Sequence, residues 1–457
     1  MEKAIVKYLL PFFIFSALCL LAFFNDWNYD ETCTYLFVKE TSIGQLLTYQ
    51  NFTLANHHLL NSLFFKLIQC TGLKHVIFYR LLSLLSFIIF WYSNKRILNL
   101  LGIPIRNIIL LIVAPYFIYF TLGRGYGFSL ALCSMSLLYL IKFKENKSGK
   151  NETLFLLTGV LSVLSIFSFL YVFMGMLTIF IYLKRRETIS FNSIIKLIVV
   201  LIFLLYVYYA GKIINVSDPN IIGSNSFFNH GTISSFFSEF SYHNYQSILN
   251  KDVYYNFLKK IVLFCLLSPL MILFFRNQRI AFLKNGRPFL FIMTLTMMFM
   301  LISNIFFLAK FPIGRAIIYL QYLYLFLLLI FLKNIGKKYA TIPIIVLLTL
   351  SVYMNSTHYF ELLKPSVKNV LIQTKQYPLY ISNTNPNIRL LNNFEHLKNN
   401  DSIFQSKSIH QLVKWAQKDP QSIVYILCKE NELNYVNLNF TSVKNYRGGL
   451  TLLLINK

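Results

Sequence analysis

Asn25-Asp26-Trp27-Asn28-Tyr29-Asp30-Glu31-Thr32-Cys33-Thr34-Tyr35 follows directly on an apolar run that ends Leu21-Ala22-Phe23-Phe24. The chain carries 43 Lys and Arg against 17 Asp and Glu, yet three of its acids, Asp26, Asp30 and Glu31, crowd into this one stretch. Adjacent carboxylates at a membrane edge act as a proton acceptor, as ligands for a hard cation, or as plain solvated loop charge. Acids beside a first membrane helix are common enough that the rest of the chain has to choose among the three.

Of the 457 residues, 56% are hydrophobic and 13% charged, and the mean hydropathy is +0.56. That is too apolar for a soluble domain of this length and indicates a polytopic membrane protein. The net charge of +26 does not point to nucleic acid, because the Lys and Arg residues sit in short clusters between apolar runs, which is the pattern of the positive-inside rule. The run Tyr8 to Phe24 follows Lys3 and Lys7 and has no small-x-small cleavage site after it, so it reads as a retained first span. Six cysteines, Cys19, Cys33, Cys70, Cys133, Cys265 and Cys428, are scattered without the spacing of a zinc site or redox motif.

With roughly 20 apolar residues needed per crossing, the chain offers about eleven spans. After the first span, the acidic stretch reads as part of a long outer loop over residues 25–75, which also holds a helix-like segment from Asn56 to Cys70. A second span from Val76 to Tyr92 ends at Lys95 and Arg96, and a third runs from Asn107 to Phe120. The turn Gly123-Arg124-Gly125-Tyr126 precedes a fourth span that ends among Lys142, Lys144, Lys147 and Lys150. The run Thr153 to Leu183 has basic clusters at both ends, so it must cross twice, turning near Ser168 to Tyr171. A seventh span, Ile194 to Ala210, leads to an outer loop over residues 211–256 containing His230 and His243. Spans Phe257 to Phe275 and Pro288 to Leu308 flank a basic loop, and the turn Lys310-Phe311-Pro312-Ile313-Gly314-Arg315 leads to spans Ala316 to Leu332 and Tyr339 to Met354. The amino end is expected inside and the carboxyl end outside.

Residues 356–457 change character, with four prolines, many asparagines and apolar runs of strand length. A helix from Lys407 to Lys418 and strands from Ser422 to Cys428 and Leu450 to Ile455, the last after the turn Arg447-Gly448-Gly449, describe a small soluble α/β domain.

On this topology Asp30, Glu31, His57, His58, Asn61, Arg124, Tyr126, His230, His243 and Arg315 all fall at the outer face, whereas a transporter keeps ionisable residues at mid-membrane. Arg124 and Arg315 stand where the positive-inside rule discourages cations, and guanidinium groups suit phosphate. Snorkelling to headgroups is the alternative for either one alone. Adjacent His57 and His58 cannot share one helix face. Each of them binds metal, holds a substrate hydroxyl or merely caps a helix.

Taken in order, these features resemble the glycosyltransferase C superfamily, in its protein-O-mannosyltransferase-like and aminoarabinose-transferase-like branch. The likeness is carried by Asp30-Glu31, by Asn56-His57-His58-Leu59-Leu60-Asn61 where relatives have a His-Pro-Pro-Leu-type motif, and by Arg80 opening the next span. Arg124-Gly125-Tyr126 and Pro312-Ile313-Gly314-Arg315 complete the set. The resemblance implies an all-α polytopic membrane enzyme over residues 1–355 with a small α/β domain over 356–457, in a bacterial inner membrane. It implies a polyprenyl-phosphate sugar donor and a glycan, lipid or protein acceptor, with no nucleic acid partner. Asp30 would be the catalytic base with Glu31 assisting, Arg124, Arg315 and Tyr126 would bind the donor phosphate, and His57, His58 and Asn61 would position the acceptor. Some relatives hold a divalent metal, for which Glu31, His58, His230 and His243 are the candidate ligands here. Two rivals are a lipid or polysaccharide transporter, which would be favoured by mid-membrane charges that are scarce here, and an O-antigen-type polymerase, which does not call for an acidic pair after the first span.

Overall fold

The computed structural model describes residues 9–24, 29–49, 58–73, 75–112, 115–185, 191–217, 227, 233, 276–312, 314–334, 379–382, 403–406, 423–429, 441–446 and 450–456. The chain divides into two compact units, one of Met1–Ala22, Val38–Asn244 and Lys251–Tyr353, the other of Phe23–Phe37, Tyr245–Asn250 and Met354–Lys457.

The helices in order are α1 Leu10–Phe24, α2 Tyr29–Glu40, α3 Ile43–Thr48, α4 Leu59–Cys70, α5 Val76–Leu100, α6 Ile108–Ile112, α7 Gly125–Glu145, α8 Gly149–Ser165, α9 Leu170–Lys184, α10 Phe191–Ser217, α11 Arg276–Phe307 and α12 Ile318–Asn334. Among the described residues five helical stretches are long and apolar enough to cross a membrane: Val76–Leu100, Gly125–Glu145, Phe167–Lys184, Phe191–Ile213 and Asn285–Phe307. Helices α1, α4 and α12 are apolar but shorter.

Hydrogen bonds between helices fix how the first unit is stacked. Ser129 and Ser162 each donate to the other's carbonyl, at 2.7 and 2.8 Å, and Ser136 donates to Phe155 O at 3.0 Å, so α7 and α8 run antiparallel with small residues along the seam. Ser93 and Ser134 hydroxyls bond across α5 and α7, while Tyr322 of α12 donates to Asn94 Oδ1 of α5 at 2.8 Å. Apolar attraction between helices is weak in a lipid solvent, so short side chains that permit close approach and satisfy one another's hydroxyls contribute a large share of the association, about 0.6 kcal/mol per such bond.

Two ends of this bundle differ in chemistry. At one, the buried Glu152 carboxylate meets Lys184 Nζ at 2.7 Å, joining the start of α8 to the end of α9 and closing them into a hairpin. Ser193 at the start of α10 joins both, and Lys333 Nζ donates to Leu101 O at 2.7 Å. Lys142 and Lys144 on the last turn of α7, and Lys95 and Arg96 one turn before the end of α5, belong to this end as well. At the other end lie the starts of α4, α5, α7 and α12 and the turn between α8 and α9.

Several expected boundaries hold. The double-crossing run breaks at Ile166 and a 3-10 turn, Phe167–Phe169, close to the expected reversal, and α12 covers most of the tenth expected span. Others shift for identifiable reasons. The expected third span is not one helix: it divides into a 3-10 turn Ile105–Asn107, the five-residue α6 and a 3-10 turn Pro115–Phe120, with Pro115 in the opening position where its missing N–H is harmless. The basic stretch before Pro288 is helical rather than a loop, since α11 starts at Arg276 and passes through Pro288 with the loss of one backbone bond. From Tyr29 onward the acidic stretch is also helical, with Asp30 and Glu31 at consecutive positions in the first turn of α2, where acidic residues are favoured by the helix dipole. Spans expected over Phe257 to Phe275 and Tyr339 to Met354 lie outside the described residues.

Helix α3 begins with a capping box, Ser42 accepting from Gln45 N at 3.3 Å and Gln45 Oε1 accepting from Ser42 N at 3.0 Å. It ends at Tyr49, which adopts a left-handed backbone at φ 56°. That conformation costs a non-glycine residue about 1 kcal/mol or more. Its buried ring offsets the cost by packing on Phe167 and Tyr206 with centroids 5.4 and 6.4 Å away, while Tyr206 Oη donates to Leu47 O at 2.9 Å.

In the second unit, β1 Leu379–Ser382, β2 Ile403–Ser406, β3 Ile423–Lys429, β4 Thr441–Tyr446 and β5 Leu450–Asn456 form one sheet in the order β2-β1-β3-β5-β4. β1 pairs in parallel with β2 and β3, while β5 runs antiparallel to β3 and β4. Parallel neighbours need long crossovers, and the helix expected at Lys407 to Lys418 falls in one of them, outside the described residues. The polar β4 sits at the edge with an irregularity between Ser442 and Lys444 and a lysine in its middle, features that discourage strand addition.

Candidate functional site

The site begins with the five residues Gly123-Arg124-Gly125-Tyr126-Gly127. Arg124 is the N-cap of α7, with extended backbone, so its own cation stands at the positive end of a 21-residue helix. Two glycines permit what surrounds it. A Cβ on Gly125 would lie 2.8 Å from Ser165 O and 3.1 Å from His58 Cβ, and one on Gly127 would lie 2.7 Å from Tyr119 O. Backbone from two directions, Ser165 and Tyr119, therefore closes on this turn to distances that no side chain allows, with the His58 side chain packed tightly beside it.

Each neighbour holds the turn by a named bond. Asn61 Nδ2 donates to Gly123 O at 2.8 Å, Ser83 Oγ to Arg124 O at 3.3 Å and Ser165 Oγ to Gly125 O at 3.0 Å. Three consecutive carbonyls are thus each bound by a side chain from a different helix, α4, α5 and α8. Arg80, one turn before Ser83, is fully buried and its Nη1 donates to Ala22 O at 2.8 Å. That bond caps a carbonyl left open at the end of α1 and gives Arg80 a structural task.

Above the turn, side chains gather around Tyr126. Its ring centroid lies 5.0 Å from that of His58, edge to face, and 5.1 Å from that of Tyr119, with the Arg124 guanidinium 5.5 Å away. His58 Nε2 approaches Arg124 Nη2 to 3.5 Å. Arg124 is 1% exposed, Asn61 1%, His58 7% and Tyr126 8%. His58 is the N-cap residue of α4 but makes no side-chain capping bond, so its imidazole is directed to the cluster rather than to the helix. The Asn61 amide is oriented by its bond to Gly123, and its buried Oδ1 has no hydrogen-bond partner among the described residues. An acceptor held this way is suited to a hydroxyl on a ligand.

Of the residues singled out in the sequence, His58, Asn61, Arg124 and Tyr126 are brought together. Arg315 lies in the 3-10 turn Gly314–Ile317, whose backbone meets the turn Phe167–Phe169 that follows Ser165. Asp30 and Glu31 hold consecutive positions on α2, whose residues up to Phe37 belong to the second unit, and Glu31 is fully buried. His57, His230 and His243 lie outside the described residues. Among the described residues no three His, Cys, Asp or Glu side chains group as a metal site. Sequence reasoning missed Ser83, Ser165 and Tyr119, because serines and tyrosines inside apolar runs carry no signal until the fold shows what they face.

No known family pattern matches the chain, and no curated protein matches it. Among solved structures it is similar to ArnT from Cupriavidus metallidurans bound to undecaprenyl phosphate, at 9% sequence identity and a TM-score of 0.39, over 99% of this chain and 98% of that one.

Proposed function

We propose that this protein is a membrane glycosyltransferase that moves a sugar from a polyprenyl-phosphate carrier to an acceptor at the outer face of a bacterial inner membrane. The observation that carries the reading is the buried Arg124 guanidinium, fixed at the start of α7 and ringed by His58, Tyr126 and Asn61. A helix N-terminus and a guanidinium at one point concentrate positive potential where a phosphate is the natural partner. The basic residues of the last turns of α7 and α9, and Lys95 and Arg96 near the end of α5, lie at the opposite end of the bundle, and by the positive-inside rule that end faces the cytoplasm. The Arg124 site then faces outward, within reach of a lipid donor already in the membrane.

In the reaction, Asp30 takes the proton from an acceptor hydroxyl as its oxygen attacks the anomeric carbon, and the bond from that carbon to the phosphate oxygen breaks with its electron pair. The lipid phosphate leaves with added negative charge, which Arg124 and Arg315 stabilise, while Glu31 orients the acceptor. Tyr126 holds the guanidinium by its ring face, and Asn61 Oδ1 accepts from a substrate hydroxyl.

The test is transfer of label from a radiolabelled polyprenyl-phosphate sugar in membranes carrying wild-type protein or Asp30→Asn, with folding checked in parallel. Loss of transfer in folded Asp30→Asn is the expected result. Equal transfer by both removes Asp30 as the base.

A further inference from the structure

His58 Nε2 and Arg124 Nη2 stand 3.5 Å apart in a buried setting. A guanidinium has five donors and no acceptor and stays protonated in proteins. In that contact the imidazole therefore supplies the lone pair, with the ring proton on Nδ1.

We propose that His58 is a positioning residue: as a neutral acceptor it fixes the plane of the Arg124 guanidinium for a phosphate monoester or diester. This rests on the reading of Arg124 as the donor-phosphate ligand. The mount for such a role is rigid. Ser62 N donates to His58 O at 2.8 Å, anchoring the residue to the first turn of α4, and Asn61 on that turn grips Gly123. The close approach of His58 Cβ to Gly125 fixes the root of the imidazole against the turn that carries Arg124. The ring edge rests on Tyr126, whose face also neighbours the guanidinium. Rotation of the guanidinium would break the contact with His58 Nε2 or lift the cation off the Tyr126 face. Unlike a carboxylate, an imidazole that accepts from an arginine adds no negative charge of its own.

The experiment measures binding of polyprenyl phosphate, with the uncharged polyprenol as control, to purified full-length wild type, Arg124→Gln, His58→Phe and His58→Gln. Phenylalanine keeps the ring packing and removes the acceptor, while glutamine places an acceptor oxygen near the Nε2 position. The expected result is polyprenyl phosphate binding weaker by about tenfold or more in His58→Phe, restored to within about threefold of wild type in His58→Gln, with polyprenol binding unchanged in all. Wild-type affinity in His58→Phe, or equal weakening in the two His58 variants, overturns the proposal even when Arg124→Gln loses binding. Wild-type affinity in Arg124→Gln overturns instead the reading of Arg124, and the role of His58 with it. If His58→Phe does not fold, His58→Gln decides alone: affinity more than about threefold below wild type overturns the proposal.

Discussion

Asn61 Nδ2 bonds the carbonyl of Gly123 at 2.8 Å across 62 residues of chain, and so ties the first turn of α4 to the residue before Arg124. Asn61→Leu removes the donor from a buried carbonyl and exchanges an amide oxygen for methyl groups. Stability should fall by about 1–3 kcal/mol, and use of a lipid donor should weaken further because Arg124 loses one of its supports. Thermal unfolding in detergent, together with the donor concentration dependence of transfer, checks both. A loss of stability with unchanged donor dependence would make Asn61 purely structural.

Gly125→Ala brings a methyl group to 2.8 Å from Ser165 O and 2.9 Å from Ser165 Oγ. Backbone must shift, because the nearest atom is the Ser165 carbonyl oxygen rather than the far end of a flexible side chain. Activity is expected to drop at least tenfold with a lowered unfolding temperature. Adding Ser165→Gly relieves the hydroxyl clash and not the carbonyl one, so rescue should be partial at best.

The Glu152–Lys184 pair closes the α8–α9 hairpin at the basic end. Glu152→Gln leaves a buried cation without its partner and should cost about 3–5 kcal/mol, whereas Glu152→Leu combined with Lys184→Met should recover most of that loss. Equal stability of the single and double variants would contradict the burial of the pair.

Burial pushes the Tyr49 phenol above its ordinary range, and the neighbouring Tyr206 adds to the shift. An unfolded tyrosine titrates near about pH 10. Below that pH the phenol is neutral in both states and stability is intact. As pH rises past it, the unfolded chain loses the proton first and stability falls. Tyr49→Phe should therefore unfold at higher pH than wild type in an alkaline titration. An unchanged midpoint would show that other groups govern alkaline unfolding.

Much of the bundle was legible because apolar runs end in lysine clusters: α7, the α8–α9 break and α12 all follow from that punctuation. The segment from Ile105 to Phe120 was not, since its hydropathy is that of a span, and Pro115, which opens a 3-10 turn, is its one sequence sign of a break. Helix α2 was hidden by its polar composition, and the strands β1, β2 and β4 by their shortness or polarity. Arg124 was visible as a cation in a glycine turn where cations are disfavoured. Its supports were not: Ser83 and Ser165 are ordinary serines in apolar helices, and only the three-dimensional path makes each the donor to a consecutive carbonyl of the arginine turn.

The proposed function requires a polyprenyl-phosphate sugar as donor and Arg124 as the group that meets its phosphate. The most direct measurement supplies purified protein and a membrane extract with one labelled sugar, carried either on polyprenyl phosphate or on a nucleoside diphosphate, for wild type and Arg124→Ala. Label moving from the lipid donor alone, and falling at least about a hundredfold in folded Arg124→Ala, is the predicted result. Transfer from the nucleotide donor, or wild-type rates in Arg124→Ala, would contradict it.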